Sequence, residues 1–284
     1  MSITVELPVT NDQYAVFGDP ISHSKSPRIH QLFAQQTAQA LHYQAKQVSA
    51  EQFNEAVEDF FSQGGKGLNC TVPLKELAWQ RADTLTDAAR LAKAVNTLKR
   101  LADGRLQGDN TDGAGLIKDL MLNHALPLHA ASILLLGAGG ASRGIIGPLL
   151  AQSPKRLVIA NRTLDKATAL AAEFNHPLLL ASGFEALQGQ QFDLILNATS
   201  ASLTGELPAL PAGILAAQGS CYDLAYANTA TPFVRWGRSQ NAAKSLDGLG
   251  MLVEQAAAAF YLWRGIYPDT ASVITLLNAE RNAY

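Results

Sequence analysis

The sequence predicts an α/β protein built as two sheet-centred units with a cleft between them. Short β-rich runs alternate with helical segments from one end to the other, the pattern of largely parallel sheets. The length, 284 residues, suits two domains of about 150 residues each, and one large α/β domain would also fit it. Apolar residues make up 48% of the chain and charged residues 16%, the latter well below the roughly 25% of an average globular protein. Such a chain is not disordered, because it has ample apolar surface to bury against the entropy of ordering.

In the first block the β-rich runs 14–17, 43–48 and 67–70 are predicted strands, with helices over 27–39 and 51–63 between them. A helix starting at Thr111 or Asp112 leads into the second block, and an acid at its start suits the positive helix end. The second block opens with the fully apolar strand 132–136, followed by glycines and a helix over 140–151. Strands over 157–160, 192–197 and 221–224 then alternate with helices over 164–174 and 232–240. The connection 200–211 carries Thr204-Gly205 and two prolines and reads as a breaker-rich loop. After Asp247-Gly248-Leu249-Gly250 the pattern changes, because 251–263 and 271–281 are consecutive helices with no strand between. They are therefore not assigned to the second sheet, and the cleft between the blocks is the natural binding site.

Charge and composition exclude several functions. Twenty-two Lys+Arg against 24 Asp+Glu leave a net charge of -2 with no long run of like charge, which disfavours wholesale binding to nucleic acid or anionic membrane. The longest purely apolar stretch, Ala256 to Trp263, has eight residues, against the roughly 20 that span a bilayer. The opening MSITVELPVTND lacks the basic and apolar regions of a secretory signal, so a cytoplasmic protein is expected. Cys70 and Cys221 are too few for a disulfide framework or a zinc site and belong to no C-x-x-C pair; no metal is expected, and both read as small buried hydrophobes.

The first chemical signal is Ile133-Leu134-Leu135-Leu136-Gly137-Ala138-Gly139-Gly140-Ala141-Ser142, an apolar strand running through glycines into a helix. Gly137 permits the tight turn, Gly139 lets backbone approach a pyrophosphate, and the helix-start N–H groups receive its charge. Ser142 stands where a third glycine is usual. Such a string alone is a weak motif and also suits an ordinary turn; the strand before it and the helix after it favour a dinucleotide. The next strand ends in Ala160-Asn161-Arg162-Thr163, without the acid that would accept from a ribose 2'-hydroxyl. Arg162, with Lys166 a helical turn later, instead offers cations to a 2'-phosphate, which favours NADP. The alternative for Arg162 is a solvated charge at a strand end.

Four polar clusters carry further candidates. In Ser22-His23-Ser24-Lys25-Ser26-Pro27 a helix N-cap at Ser26, with Pro27 at the first helical position, explains Ser26 better than Ser24. Asn69-Cys70-Thr71-Val72-Pro73-Leu74-Lys75 ends a strand with Thr71 and Lys75 on a bend. Asn96-Thr97 follows an apolar pair, and Gly108-Asp109-Asn110-Thr111-Asp112-Gly113 puts acids at the junction of the blocks. Singly, each is more often a turn than a site.

Together these strings resemble the shikimate dehydrogenase family. SHSKSP at 22–27, NCTVPLK at 69–75, AVNT at 94–97, GDNTDG at 108–113 and DGLGMLVEQA at 247–256 occur in that order, joined by GAGGASRG and NRT. The resemblance implies an open α/β substrate domain over 1–111 and 248–284, with an inserted Rossmann-type NADP domain over 112–247. It implies reversible NADPH-dependent reduction of 3-dehydroshikimate to shikimate, in aromatic amino-acid biosynthesis. Carried onto matching positions, Ser24, Ser26, Thr71, Asn96, Asp112 and Gln255 would hold the substrate, Lys75 and Asp112 would form the catalytic pair, and Tyr226 looks like the family's site tyrosine. The implied cofactor contacts are Gly137, Ala138, Gly139, Gly140 and Ala141 in the glycine turn, Asn161, Arg162, Thr163 and Lys166 at the next strand end, and Leu224 and Gly248. Cys70 sits where valine is common, and Ser142 and Leu224 fall where the family varies.

Reducing a ketone puts a hydride on carbon and a proton on oxygen, so a donor must reach that oxygen. Lys75 is the expected donor, with the Asp112 carboxylate favouring its ammonium form; a junction salt bridge is the structural alternative. Two rival functions are a broader quinate/shikimate dehydrogenase using NAD, which Asn161 and Arg162 argue against, and a non-catalytic NADP-binding sensor, which would require a broken Lys75/Asp112 pair. The expected partner is a small molecule. The sequence sets no oligomeric state, and a homodimer is the assembly to test for.

Overall fold

The computed structural model describes residues 11–199, 201 and 205–282. Most of the opening segment used for the localisation reading, and part of the 200–211 connection, including Thr204, lie outside the described residues.

Two six-stranded sheets form the frame. The first contains β1 (Asp12–Gly18), β2 (Leu41–Gln47), β3 (Gly67–Cys70), β4 (Thr84–Leu85), β5 (Thr97–Arg100) and β6 (Leu106–Asp109), in the spatial order β2-β1-β3-β5-β6-β4. Helices α1 (Ser26–Gln36) and α2 (Phe53–Ser62) make the parallel crossovers from β1 to β2 to β3. The pairing is parallel apart from one strand, because β5 runs antiparallel to both β3 and β6 while β4 pairs parallel to β6. The 101–105 connection is a hairpin closed by the Leu101 N–H donating to the Arg105 carbonyl at 2.8 Å, and a parallel crossover needs about a dozen residues or more. Short helices α3 (Lys75–Arg81) and α4 (Asp87–Ala92) flank this part.

The second sheet contains β7 (Ser132–Leu136), β8 (Arg156–Ala160), β9 (Leu179–Ser182), β10 (Phe192–Asn197), β11 (Leu215–Asp223) and β12 (Ser245–Asp247). All its pairings are parallel, in the order β12-β11-β10-β7-β8-β9. That is the doubly wound order of a dinucleotide-binding sheet, whose switch point between β7 and β10 opens a crevice at the strands' carboxyl ends. Parallel strands covered on both faces must be apolar throughout; every residue of β7 is buried, and Ile133 and Leu135 face one core while Leu134 and Leu136 face the other. Helices α6 (Gly140–Ala151), α7 (Leu164–Phe174) and α8 (Pro232–Ser239) cover it. β11 begins at Leu215, earlier than the expected 221, because its first half is more exposed and is shifted in register against β10.

The chain passes from the first sheet to the second through α5 (Asp112–Lys118), which continues as a π-helical turn, Asp119–Asn123. It returns through α9 (Leu249–Arg264) and α10 (Thr270–Asn282). These last helices pack on α1, with Ile29 and Phe33 buried against Val253, Ala257 and Phe260, so the final pair belongs with the first sheet. An ion cluster also joins the two halves: Lys93, after α4, and Arg143 of α6 both reach Glu173 of α7, at 2.7 and 2.6 Å. Both cysteines are free and buried.

Candidate active site

The carboxyl ends of β1 and β3, the first turns of α3 and α5, and the start of α9 surround a cleft of about 360 Å³. All eight residues expected to contact substrate line it: Ser24, Ser26, Thr71, Lys75, Asn96, Asp112, Tyr226 and Gln255. Ala141, Leu224 and Gly248, expected on the cofactor side, form its other wall.

Lys75 is the first residue of α3 and Asp112 the first of α5. The Lys75 ammonium donates to Asp112 Oδ2 at 2.5 Å, with side chains 22% and 11% exposed. Asp112 Oδ1 accepts from Asn96 Nδ2 at 2.8 Å, and the Asp112 backbone N–H donates to Asn110 Oδ1 at 3.1 Å. Both carboxylate oxygens are thus held by donors, and the ammonium is fixed at the floor of an open cleft. Asn96 Nδ2 also reaches Gln255 Oε1 at 3.3 Å, linking the floor to α9. Tyr226 reaches across from the second half and packs with the α1/α9 cluster, where burial raises its phenol pKa. Burial likewise pushes the Cys70 thiol far up, so beside Lys75 it stays an inert neutral group.

The N-cap expectation at Ser26 is overturned. Ser26 is the first helical residue, and Lys25 occupies the cap with no side-chain cap bond. Ser24 Oγ accepts the Ser26 N–H at 3.3 Å, so Ser24 has the local role expected of Ser26. Both hydroxyls border the cleft.

The glycine turn follows β7 at the switch point. Gly137 has φ +101°, a conformation costly for any residue with a Cβ. Ser142 is fully buried and its hydroxyl donates to the Gly137 carbonyl at 2.8 Å, so the residue replacing the third glycine staples the turn shut. Side chains at Gly139 or Gly140 would meet nothing within 4 Å; the backbone there borders open space that a pyrophosphate fits and a side chain would fill. Gly139 is the N-cap of α6, and Ala138 and Ala141 flank it. At the end of β8, Asn161 Nδ2 donates to the Thr163 carbonyl at 2.9 Å, while Arg162, Thr163 and Lys166 are exposed. This cradle and its cations fit a phosphorylated dinucleotide.

Family models match three stretches: shikimate dehydrogenase substrate binding domain over residues 16–98, shikimate / quinate 5-dehydrogenase over 120–204, and shikimate 5'-dehydrogenase C-terminal domain over 248–277. The chain is 60% identical to a shikimate dehydrogenase (NADP(+)) of Methylococcus capsulatus, across 95% of this chain and 97% of that one. The chain belongs to the shikimate dehydrogenase family. Among solved structures, an Ael1 enzyme from Pseudomonas putida matches with TM-score 0.88 and 50% identity, over 94% of this chain and 98% of that one. A shikimate 5-dehydrogenase from Thermus thermophilus, solved in complex with NADP(H) and shikimate, matches with TM-score 0.84 and 32% identity, over 93% and 97%.

Sequence reasoning missed two residues of the cleft and its backing: Asn69, which lines it and is 8% exposed, and Thr97, which lies behind it and is 0% exposed. The available signal was polarity inside short apolar strands, Gly-Leu-Asn-Cys and Val-Asn-Thr-Leu, where a buried amide or hydroxyl must find a partner.

Proposed function

We propose that this chain catalyses the reversible NADPH-dependent reduction of 3-dehydroshikimate to shikimate. The observation that carries the reading is the Lys75–Asp112 pair, held at 2.5 Å on the floor of a cleft that also gathers Ser24, Ser26, Thr71, Asn96, Tyr226 and Gln255. Hydroxyls and amides dominate that set, the groups that bind a polyhydroxylated carboxylic acid by donating to its carboxylate and exchanging hydrogen bonds with its alcohols. When bound, NADPH supplies the hydride. Lys75 donates the proton to the substrate's carbonyl oxygen, and Asp112 keeps the ammonium aimed and balances its charge. In the reverse direction Lys75 takes the proton from the alcohol, and because oxidation releases a proton its equilibrium is favoured as pH rises.

We assign 1–111 and 248–284 to the substrate domain and 112–247 to the cofactor domain. Gly137 to Ala141 would cradle the pyrophosphate; Arg162, Lys166 and the Thr163 hydroxyl would hold the 2'-phosphate, with Asn161, Leu224 and Gly248 at its borders. No described helix is long and apolar enough to cross a membrane; a cytoplasmic location is proposed from the likeness to biosynthetic shikimate dehydrogenases, and a homodimer is proposed for test by sedimentation. Steady-state turnover of shikimate with NADP+ and then NAD+ tests the reading. Turnover with NADP+ strongly preferred is expected. No turnover with either cofactor would overturn it.

A further inference from the structure

Leading to the Lys75–Asp112 pair is a run of buried polar side chains in which Tyr43, Asn69 and Thr97 have no role in the proposed reaction. It starts on β2, where the Tyr43 hydroxyl donates to Asn69 Oδ1 at 2.7 Å. Asn69 Nδ2 donates to the backbone carbonyl of Asn96 and to Thr97 Oγ1, both at 3.0 Å. The Thr97 hydroxyl donates to Asn96 Oδ1 at 2.8 Å, and Asn96 Nδ2 donates to Asp112 Oδ1 at 2.8 Å.

The direction of every bond is fixed by groups that have no choice. A backbone carbonyl only accepts, so Asn69 must turn its nitrogen toward residues 96 and 97. A backbone N–H only donates, and that of Thr111 points at Asn96 Oδ1 from 2.9 Å, so Asn96 must turn its oxygen inward and its nitrogen toward Asp112. Thr97 has one proton; with an Asn69 N–H entering its oxygen, that proton goes to Asn96. Thr97 is wholly buried and does not line the cleft, so it touches neither substrate nor cofactor.

We propose that Thr97 is a positioning residue for the catalytic pair: its hydroxyl fixes the Asn96 amide, and that amide fixes Asp112. The proposal rests on the dehydrogenase reading above. Without the hydroxyl, Asn96 Oδ1 loses one of its two closest donors and Asn69 Nδ2 loses one of two acceptors. The amide torsion of asparagine is broad, so Asn96 then swings and takes its N–H off Asp112. Donors entering Oδ1 also strengthen the N–H groups on the same amide.

The test compares Thr97→Val, which keeps the shape and removes the hydroxyl, with Thr97→Ser, which keeps the hydroxyl. The readouts are kcat for shikimate oxidation across pH, KM for NADP+, and hydrogen exchange of the Asn96 side-chain amide in the cofactor-free protein. In Thr97→Val, kcat falls about ten-fold, the scale of one misplaced polar contact, KM for NADP+ is unchanged, the pH profile shifts and the amide exchanges faster. In Thr97→Ser, kcat, the pH profile and the amide exchange return toward wild type. Wild-type kcat, pH profile and amide exchange in Thr97→Val, with only thermal stability lowered, would overturn the proposal. A wild-type enzyme inactive on shikimate, in which Thr97→Val alone frees the amide, would sink the dehydrogenase reading and leave the relay standing. If Thr97→Val does not fold, Thr97→Cys, whose thiol is a weak donor and acceptor, is read in the same way.

Discussion

His30 should make the protein lose stability in mild acid, by an amount the structure allows to be worked out. Its ring is 1% exposed, stacks on Tyr43 at 4.1 Å and 6°, and lies against Phe33, Phe260 and Trp263. Neither ring nitrogen has a hydrogen-bond partner among the described residues. Burial with nothing to solvate a charge lowers its pKa from 6.5 to about 3. Above pH 6.5 the ring is neutral in both folded and unfolded chains and contributes no pH dependence. As pH falls below 6.5 the unfolded chain takes up a proton that the folded one refuses until about 3, so stability declines through that window at about 1.4 kcal/mol per pH unit. At pH 5 the loss from this one group is about 2 kcal/mol. His30→Phe keeps an aromatic ring on Tyr43 and removes the titration. Urea midpoints at pH 7, 6 and 5 should fall more steeply in the wild type than in the variant, whatever fixed cost the larger ring adds at every pH. Parallel pH dependences would refute the reasoning and require a proton-accepting partner for the imidazole.

Three other perturbations test separate parts of the molecule. Lys75→Ala should lower kcat by about 100-fold or more with a smaller change in KM, the scale of a positioned acid-base group; a near-wild-type kcat removes Lys75 from the mechanism. NADP should be preferred over NAD by roughly 10- to 100-fold in kcat/KM, since a charge-assisted bond contributes about 1.5 to 3 kcal/mol. Replacing Asn161 with Asp and Arg162 with Leu should narrow or reverse that preference, and a double variant that still strongly prefers NADP would show that the end of β8 does not set it. Gly250→Ala would place a Cβ 2.0 Å from Asp119 Oδ1, on a buried carboxylate already pinned by the Tyr222 hydroxyl at 2.6 Å and Asn123 Nδ2 at 2.8 Å. It should cost about 2 to 3 kcal/mol by overpacking, and an unchanged denaturation midpoint would show that α9 and the π-helical turn separate freely.

How far the site was legible in the sequence depended on the kind of interaction. Strand β7 and the turn after it could be read because both are local: five apolar residues, then glycines whose conformational freedom the turn uses. The α9 and α10 helices could be delimited for the same reason, but their return to the first sheet depends on Ile29 and Phe33 meeting Val253 and Phe260, more than 200 residues away, which only the resemblance supplied. β4, β5, β6, β9 and β12 were missed because runs of two to four residues carry no period to detect. The capping expectation at Ser26 failed because a one-residue shift of the helix start exchanges the roles of Ser24 and Ser26.

Asn69 and Thr97 mark a deeper limit. In a half-buried strand a polar residue ordinarily marks the solvent face, and by that rule both should point outward. Here β3 is buried along its whole length and β5 begins at a fully buried Thr97, so their polar groups had to be satisfied inside. Each was satisfied by the other, then by Asn96, and the donor left over at the end of that sequence is the N–H that meets Asp112. The order of the bonds therefore follows from the cost of burying an unpaired amide, and the orientation of the Asp112 carboxylate follows from the order of the bonds. A strand sequence shows which residues carry hydrogen-bonding groups; which way those groups point is decided only when neighbouring strands close around them.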